Sequence, residues 1–210
     1  MNPAGEAYLR WYYASGVWKQ LAYRGVRTLK NPLDLWNYQE IIHERGIEWV
    51  IETGTRHGGS ALFFADLLEA RGSPGRVISI DIDHRELQVR PSPYLELIAG
   101  DSAAADVLSR IRGSLDVERG PAFFILDSDH QMAHVLRELE GYVDCMRPRD
   151  YLVVEDTCVN GHPVRPDFGP GPAEALARYL GEHPGRLVPD TAREMKFACT
   201  FAPGGYFVRI

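Results

Sequence analysis

From residue 47 onward, short apolar runs alternate with stretches whose apolar residues recur at helical spacing. Residues 47–52 (IEWVIE) predict a first strand, and the ALFFADLLEAR run that follows TGTRHGGS predicts a helix. Four more strands are predicted at residues 76–83 (RVISIDID), 94–99 (YLELIA), 122–127 (AFFILD) and 151–155 (YLVVE). AFFILD is almost continuously apolar, as expected of a strand covered on both faces. Ser102 is expected to cap a helix over AAADVLSRIR, and another helix is expected from about residue 130 to 146. This alternation predicts an α/β fold, a doubly wound, mostly parallel, Rossmann-like sheet with helices on both sides.

The two ends of the chain break the rhythm. Residues 157–172 (TCVNGHPVRPDFGPGP) hold three glycines and four prolines. That density of breakers predicts a long loop, expected to be a lid over an acceptor and carrying His162, Arg165 and Asp167. AEALARYLGEH predicts a helix, and residues 197–201 and 205–210 predict a closing antiparallel pair joined by APGG. Residues 1–46 read as an aromatic, helical extension to the ligand-binding domain at 47–210. The extension holds Trp11, Trp18 and Trp36, with helices expected near 4–23 and 34–45. Its aromatic surface is expected to roof the same pocket, cover the sheet or support self-association.

Composition narrows the function classes. The chain has 210 residues, 45% apolar and 25% charged, which excludes general disorder. The formal charge of −6 argues against nucleic acid as the main partner. Cys145, Cys158 and Cys199 are far apart with no CxxC spacing, so neither a disulfide framework nor a structural zinc is expected. No apolar run approaches the roughly 18 residues of a membrane span, and the N-terminus lacks a basic-then-apolar leader. A soluble cytoplasmic protein is expected.

The segment from Glu52 to Ser60 lies where a doubly wound sheet holds its cofactor. Gly54 would let the backbone approach a ligand, and Gly58 and Gly59 open the helix. The G-x-x-x-G-G spacing is neither the GxGxxG of dinucleotide binders nor a P-loop, both of which exist to hold phosphates. Glu52 at the strand tip suits an ammonium or free hydroxyls. Asp81, closing the second strand, is placed to accept both ribose hydroxyls of a nucleoside. Asp101 and Ser102, closing the third, are placed for an adenine edge. Thr55, Arg56, His57 and Ser60 complete the loop, with Arg56 and His57 toward a methionine end. Together these features predict S-adenosylmethionine. Taken singly, each acid is as well explained by a solvated strand end.

Asp127, Glu155 and Asp156 stand at the tips of strands expected to be neighbours. Three carboxylates so placed repel unless a cation intervenes, and all-oxygen ligands select a hard cation such as Mg²⁺. The competing reading pairs these acids with arginines such as Arg56 or Arg165. His130 is the first candidate for a general base and Asp129 the second, with His134 one helical turn beyond His130.

These residues also carry a resemblance. KNPLDLWNYQEII (30–42), IETGTRHGGS (51–60), VISIDID (77–83), GDS (100–102), LDSDH (126–130), VED (154–156) and PGGY (203–206) resemble the cephalosporin hydroxylase family. The resemblance implies a class I methyltransferase fold and O-methylation of small molecules, often sugars or natural products. It also implies a Mg²⁺ site at Asp127, Glu155 and Asp156. The family name records a hydroxylase, but the chain shows no facial triad of two His and one carboxylate, so methyl transfer is expected rather than oxidation. The leading expectation is an S-adenosylmethionine- and Mg²⁺-dependent O-methyltransferase of a small hydroxylated acceptor. A nicotinamide-dependent oxidoreductase and a non-catalytic partner of a hydroxylase stand as alternatives.

Overall fold

The structure is a computed structural model and describes residues 2–115 and 119–210. Helix α1 (Pro3–Ser15) begins where the Asn2 side chain accepts the Gly5 N–H at 2.8 Å, with Pro3 at the first helical position. Gly16, left-handed at φ +68°, ends it. The helix is therefore shorter than the expected span of 4–23. A 3₁₀ turn (Val17–Gln20) and a small hairpin, β1 (Ala22–Tyr23) with β2 (Val26–Arg27), take up the remainder. Helix α2 (Pro32–Glu44) follows, capped by Asn31.

The main sheet then builds through β3 (Trp49–Thr53), α3 (Gly59–Ala70), β4 (Val77–Asp81), β5 (Leu95–Ala99), α4 (Ala105–Ser114), β6 (Ala122–Leu126), α5 (Met132–Val143) and β7 (Tyr151–Val154). Helix α6 (Pro172–Glu182), β8 (Leu187–Pro189), α7 (Thr191–Met195) and β9 (Tyr206–Arg209) close the chain. The seven strands lie in the order β5-β4-β3-β6-β7-β9-β8. The first five are parallel, and β9 runs antiparallel to both β7 and β8. Strand order reverses between β3 and β6. That switch point opens a crevice beyond the strands' C-terminal ends.

Strand periodicity divides the core into two layers. On β6, Phe124 and Leu126 face α4, α5 and α6 through Ile111, Leu139, Tyr142 and Tyr179. Phe123 and Ile125 face α2 and α3 through Tyr38, Ile41, Phe64 and Leu68. Helix α2, from the segment set apart in the sequence, thus covers the sheet beside α3. A third cluster joins Leu9 and Tyr12 of α1 to Cys158, Val159 and Val164 of the Pro/Gly-rich segment and to Cys199 and Phe201. All three cysteines are free.

Two sequence expectations are corrected. Residues 197–201 form no strand: Ala198 is left-handed at φ +58°, and Phe201 donates its N–H to Asp34 Oδ2 at 2.8 Å. Besides β7, β9 pairs with β8, a three-residue edge strand ending in Pro189. Nor does Ser102 cap α4, which starts after Ala104, because its hydroxyl is claimed by the Glu138 carboxylate at 2.5 Å. Among the described residues, no helix is long and apolar enough to cross a membrane.

Phe201 is the hub of the third cluster, with ring centroids 5.8 Å from Tyr12, 5.8 Å from Tyr13 and 6.0 Å from Trp18. Phe201→Leu keeps an apolar side chain but loses these ring contacts. It is expected to cost about 1–2 kcal/mol, read as a loss of a few degrees in Tm. An unchanged Tm would mean that α1 is not anchored through this ring.

Candidate functional site

The crevice at the switch point has a volume of about 1170 Å³ and reaches from the β3–α3 loop to the ends of β6 and β7. Close packing around glycines shapes its floor. Gly54 is left-handed at φ +86°, and a Cβ there would lie 1.9 Å from the Asp127 carbonyl oxygen. This contact draws the loop against the end of β6. A Cβ on Gly59 would meet Thr28 Oγ1 at 2.0 Å, so α3 begins against the strip leading into α2. Gly58, also at φ +86°, packs its bare face on Val89, away from the crevice.

The predicted cofactor residues divide between crevice and core. Gly54, Thr55, Arg56, Gly59, Ser60, Asp81, Asp101 and Ser102 line the crevice. Asp81 accepts the Arg56 N–H at 2.6 Å and the Asp83 N–H at 3.1 Å, which ties the first two loops together. Asp101 accepts the Ala103 N–H at 2.9 Å, and this bond, aided by Arg137, holds its carboxyl below the usual range. The Arg56 side chain pairs with Glu86 at 3.0 Å, and His57 Nδ1 lies 3.1 Å from the Glu86 carbonyl.

Glu52 does not reach the crevice. It is fully buried, and its Oε2 accepts Ser79 Oγ at 2.7 Å, which in turn lies 2.7 Å from Thr55 Oγ1. Its Oε1 has no hydrogen-bond partner, and burial raises its pKa. The expected contact with a ligand ammonium is thus replaced by an indirect role: Glu52 sets Thr55 through Ser79.

At the other end, His130 Nε2 lies 3.1 Å from Asp156 Oδ2. One ligand atom from each of Asp127, His130 and Asp156 can be chosen so that all lie within 4.8 Å of one another. Glu155 stands behind them, 3% exposed. Its Oε1 accepts Lys30 Nζ at 2.8 Å and the Tyr38 hydroxyl at 3.0 Å. Lys30 Nζ also lies 2.5 Å from Asp127 Oδ2. Glu155, expected to face the cation directly, is therefore held by a lysine, and His130 takes the third place in the facing group.

The electrostatics follow from this crowding. Burial pushes Asp127 and Glu155 above the ordinary carboxylate range, with Lys30 opposing, and repulsion adds to it, from Asp156 at Asp127 and from Asp127 at Glu155. Burial alone would lower Lys30, but Asp127 and Glu155 outweigh it and hold the ammonium above the usual lysine value. Burial likewise works against His130, while Asp156, Asp127 and Glu155 raise it. Lys30 faces Asp127 and Glu155 while His130 faces Asp156, so three carboxylates share one ammonium and one imidazole. That imbalance, and the oxygen donors that create it, fit a hard divalent cation.

Asp129 is exposed, and its Oδ1 caps the turn into α5 by accepting the Gln131 N–H at 3.1 Å. His134 Nε2 lies 3.0 Å from Ser102 Oγ, at the end of β5 rather than beside Asp127 and Asp156. In the Pro/Gly-rich segment, Arg165 lines the crevice, whereas His162 pairs with Glu174 at 2.9 Å. Tyr13, Trp18 and Lys19 also line the crevice, and Tyr13 and Trp18 pack with Cys158, Val159 and Val164 of the same segment.

Sequence reasoning missed Lys30 and Glu138. Glu138 is fully buried and accepts both Ser102 Oγ at 2.5 Å and Ser128 Oγ at 2.6 Å, so it links the tips of β5 and β6. A signal for it exists: Glu138 falls within the apolar stripe of α5, among Val135, Leu139 and Tyr142. Lys30 lies in an irregular strip with no periodicity to expose it.

The comparisons with known proteins agree with one another. The family described as rhamnosyl O-methyltransferase/CmcI matches residues 15–210. A rhamnosyl O-methyltransferase of Mycobacterium leprae (strain TN) is 44% identical over 205 residues, 97% of this chain and 90% of the relative. The rhamnosyl O-methyltransferase of Mycobacterium tuberculosis (strain ATCC 25618 / H37Rv) is 43% identical over 213 residues, 99% of this chain and 86% of the relative. Among solved structures, a CmcI structure with Mg and SAM is similar at a TM-score of 0.73 and 25% identity. The match covers 91% of this chain and 77% of that one.

Proposed function

The chain belongs to the rhamnosyl O-methyltransferase/CmcI family, and from that premise we propose that it methylates a hydroxyl of a rhamnosyl-type sugar. It is an O-methyltransferase that uses S-adenosylmethionine and Mg²⁺. The observation that carries the site assignment is the gathering of Asp127, His130 and Asp156 within 4.8 Å, across a crevice from the Gly54–Ser60 loop.

When bound, S-adenosylmethionine supplies an electrophilic methyl group, and Mg²⁺ supplies a positive charge that acidifies a hydroxyl beside it. Asp127 and Asp156 would hold the cation, with Glu155 adding charge from behind. Gly54 and Gly59 let the cofactor loop press against the end of β6 and against Thr28, which fixes the loop at the rim of the crevice. Asp81 would accept the ribose hydroxyls, and Asp101 and Ser102 would meet the adenine edge. The Nε2–H of His130 donates a hydrogen bond to Asp156, which leaves Nδ1 as the ring's lone-pair nitrogen. Nδ1 accepts the proton of the acceptor hydroxyl as methyl transfer proceeds. Arg165 and the wall formed by Tyr13 and Trp18 bound the space left for the sugar.

The test is incubation of the purified chain with S-adenosylmethionine and a rhamnosyl glycoside, with Mg²⁺ or with chelator. The expected product carries one added methyl group and forms only with metal. Transfer at full rate in chelator would sink the metal assignment, and a glycoside left untouched under all conditions would sink the acceptor. His130→Gln is expected to lower kcat by about 10²–10³-fold with S-adenosylhomocysteine binding unchanged. A variant that keeps its kcat would remove His130 as the base.

A further inference from the structure

Lys30 lies in the strip between β2 and α2, where Thr28 donates its N–H to the Leu21 carbonyl at 2.9 Å and Asn31 caps α2. Both neighbours are buried, and Gly59 packs against Thr28, so the strip is fixed against the cofactor loop. From this position the Lys30 side chain, 2% exposed, reaches between two strand ends, with Nζ 2.5 Å from Asp127 Oδ2 and 2.8 Å from Glu155 Oε1. All other lysines in the chain, Lys19 and Lys196, are at the surface, so a single ammonium has been carried into the acid cluster.

An ammonium and a divalent metal are alternative partners for the same carboxylate oxygens, and their charges repel at short range. We propose that Lys30, anchored on Glu155, is a resident counter-cation that competes with the divalent metal for Asp127 and so sets the site's metal affinity. With no lone pair while it is an ammonium, it is a positioning residue rather than a proton acceptor. It holds the two carboxylates together when the metal is absent and keeps the bound metal exchangeable. This inference rests on the metal assignment made above for Asp127 and Asp156.

The experiment is a titration of the S-adenosylhomocysteine-saturated protein with Mn²⁺, followed by electron paramagnetic resonance, and with Mg²⁺, followed by calorimetry. Lys30→Met is expected to bind either metal about tenfold more tightly than wild type, because the competing charge is gone. Lys30→Arg, which keeps the charge, is expected to stay within about threefold of wild type. Lys30→Gln is the second charge-removing variant, should the methionine variant fail to fold, and is expected to shift in the same direction. General damage to the site would weaken metal binding, opposite to the expected sign. Metal bound by wild type, with affinity unchanged or lowered in the folded charge-removing variant, overturns the role of Lys30 alone. No metal bound by wild type overturns the metal assignment and the role of Lys30 with it.

Discussion

Replacing Asp127 with Asn is expected to lower methyl transfer roughly 10³-fold, equivalent to about 4 kcal/mol of transition-state stabilisation, while S-adenosylhomocysteine binds as before. The carboxylate sits at the end of β6, with Oδ2 2.5 Å from Lys30, and it belongs to the facing group with His130 and Asp156. Asn preserves its size and one oxygen but removes the charge that draws a divalent cation. The fold is spared because the buried ammonium keeps Glu155 at 2.8 Å. The cofactor loop is spared because its contact with residue 127 runs through the main-chain carbonyl, which the substitution leaves in place. Initial rates at several Mg²⁺ concentrations, set beside calorimetry with S-adenosylhomocysteine, check the split. A variant with the wild-type rate and metal dependence would show that the cation is held elsewhere.

Gly54→Ala is expected to be still more disruptive, destabilising the fold by more than about 4 kcal/mol or preventing its recovery in folded form. The new Cβ would lie 1.9 Å from the Asp127 carbonyl oxygen and 2.7 Å from its carbon, and both atoms belong to a backbone that cannot rotate away. The left-handed φ of +86° adds a strain that alanine tolerates poorly. Gly72 provides the matched control: it is left-handed at φ +63°, but nothing lies within 4 Å of its missing Cβ. Gly72→Ala should therefore lose only the conformational part, about 1–2 kcal/mol. Denaturant melts of the two variants separate steric collision from backbone preference. Equal losses would mean that the loop does not press on β6 as described.

Much of the scaffold was legible from pattern alone. The strands that became β3 to β7 are short apolar runs because both faces of a parallel sheet are covered, and α/β alternation follows from joining parallel neighbours by crossovers. The tight turn between β3 and α3 was legible because Gly54, Gly58 and Gly59 mark backbone that a side chain would obstruct. The ends of β6 and β7 predict Asp127, Glu155 and Asp156 as the group of acids and offer His130 only as a base, whereas the grouping of His130 with Asp127 and Asp156 is decided by the fold. The closing strand pair was not legible. Residues 197–201 are apolar enough for a strand, but the buried Asp34 carboxylate, 167 positions away in sequence, takes the Phe201 amide instead.

The sequence by itself determined the class of the fold, the position of the crevice and the chemistry assembled at its rim. Each of these depends on local periodicity, glycine placement and nearness to strand ends, all of which are properties of neighbouring residues. The tertiary structure decided which carboxylates face one another and which are spoken for. It set Glu155 behind Lys30 and Tyr38, bonds that span 125 and 117 positions, turned Glu52 into the core, and gave Ser102 to Glu138. A hydrophobic pattern records only where apolar surface leaves water. The partner of a buried polar group is chosen by whichever element folding brings within about 3 Å, and that choice has no sequence period.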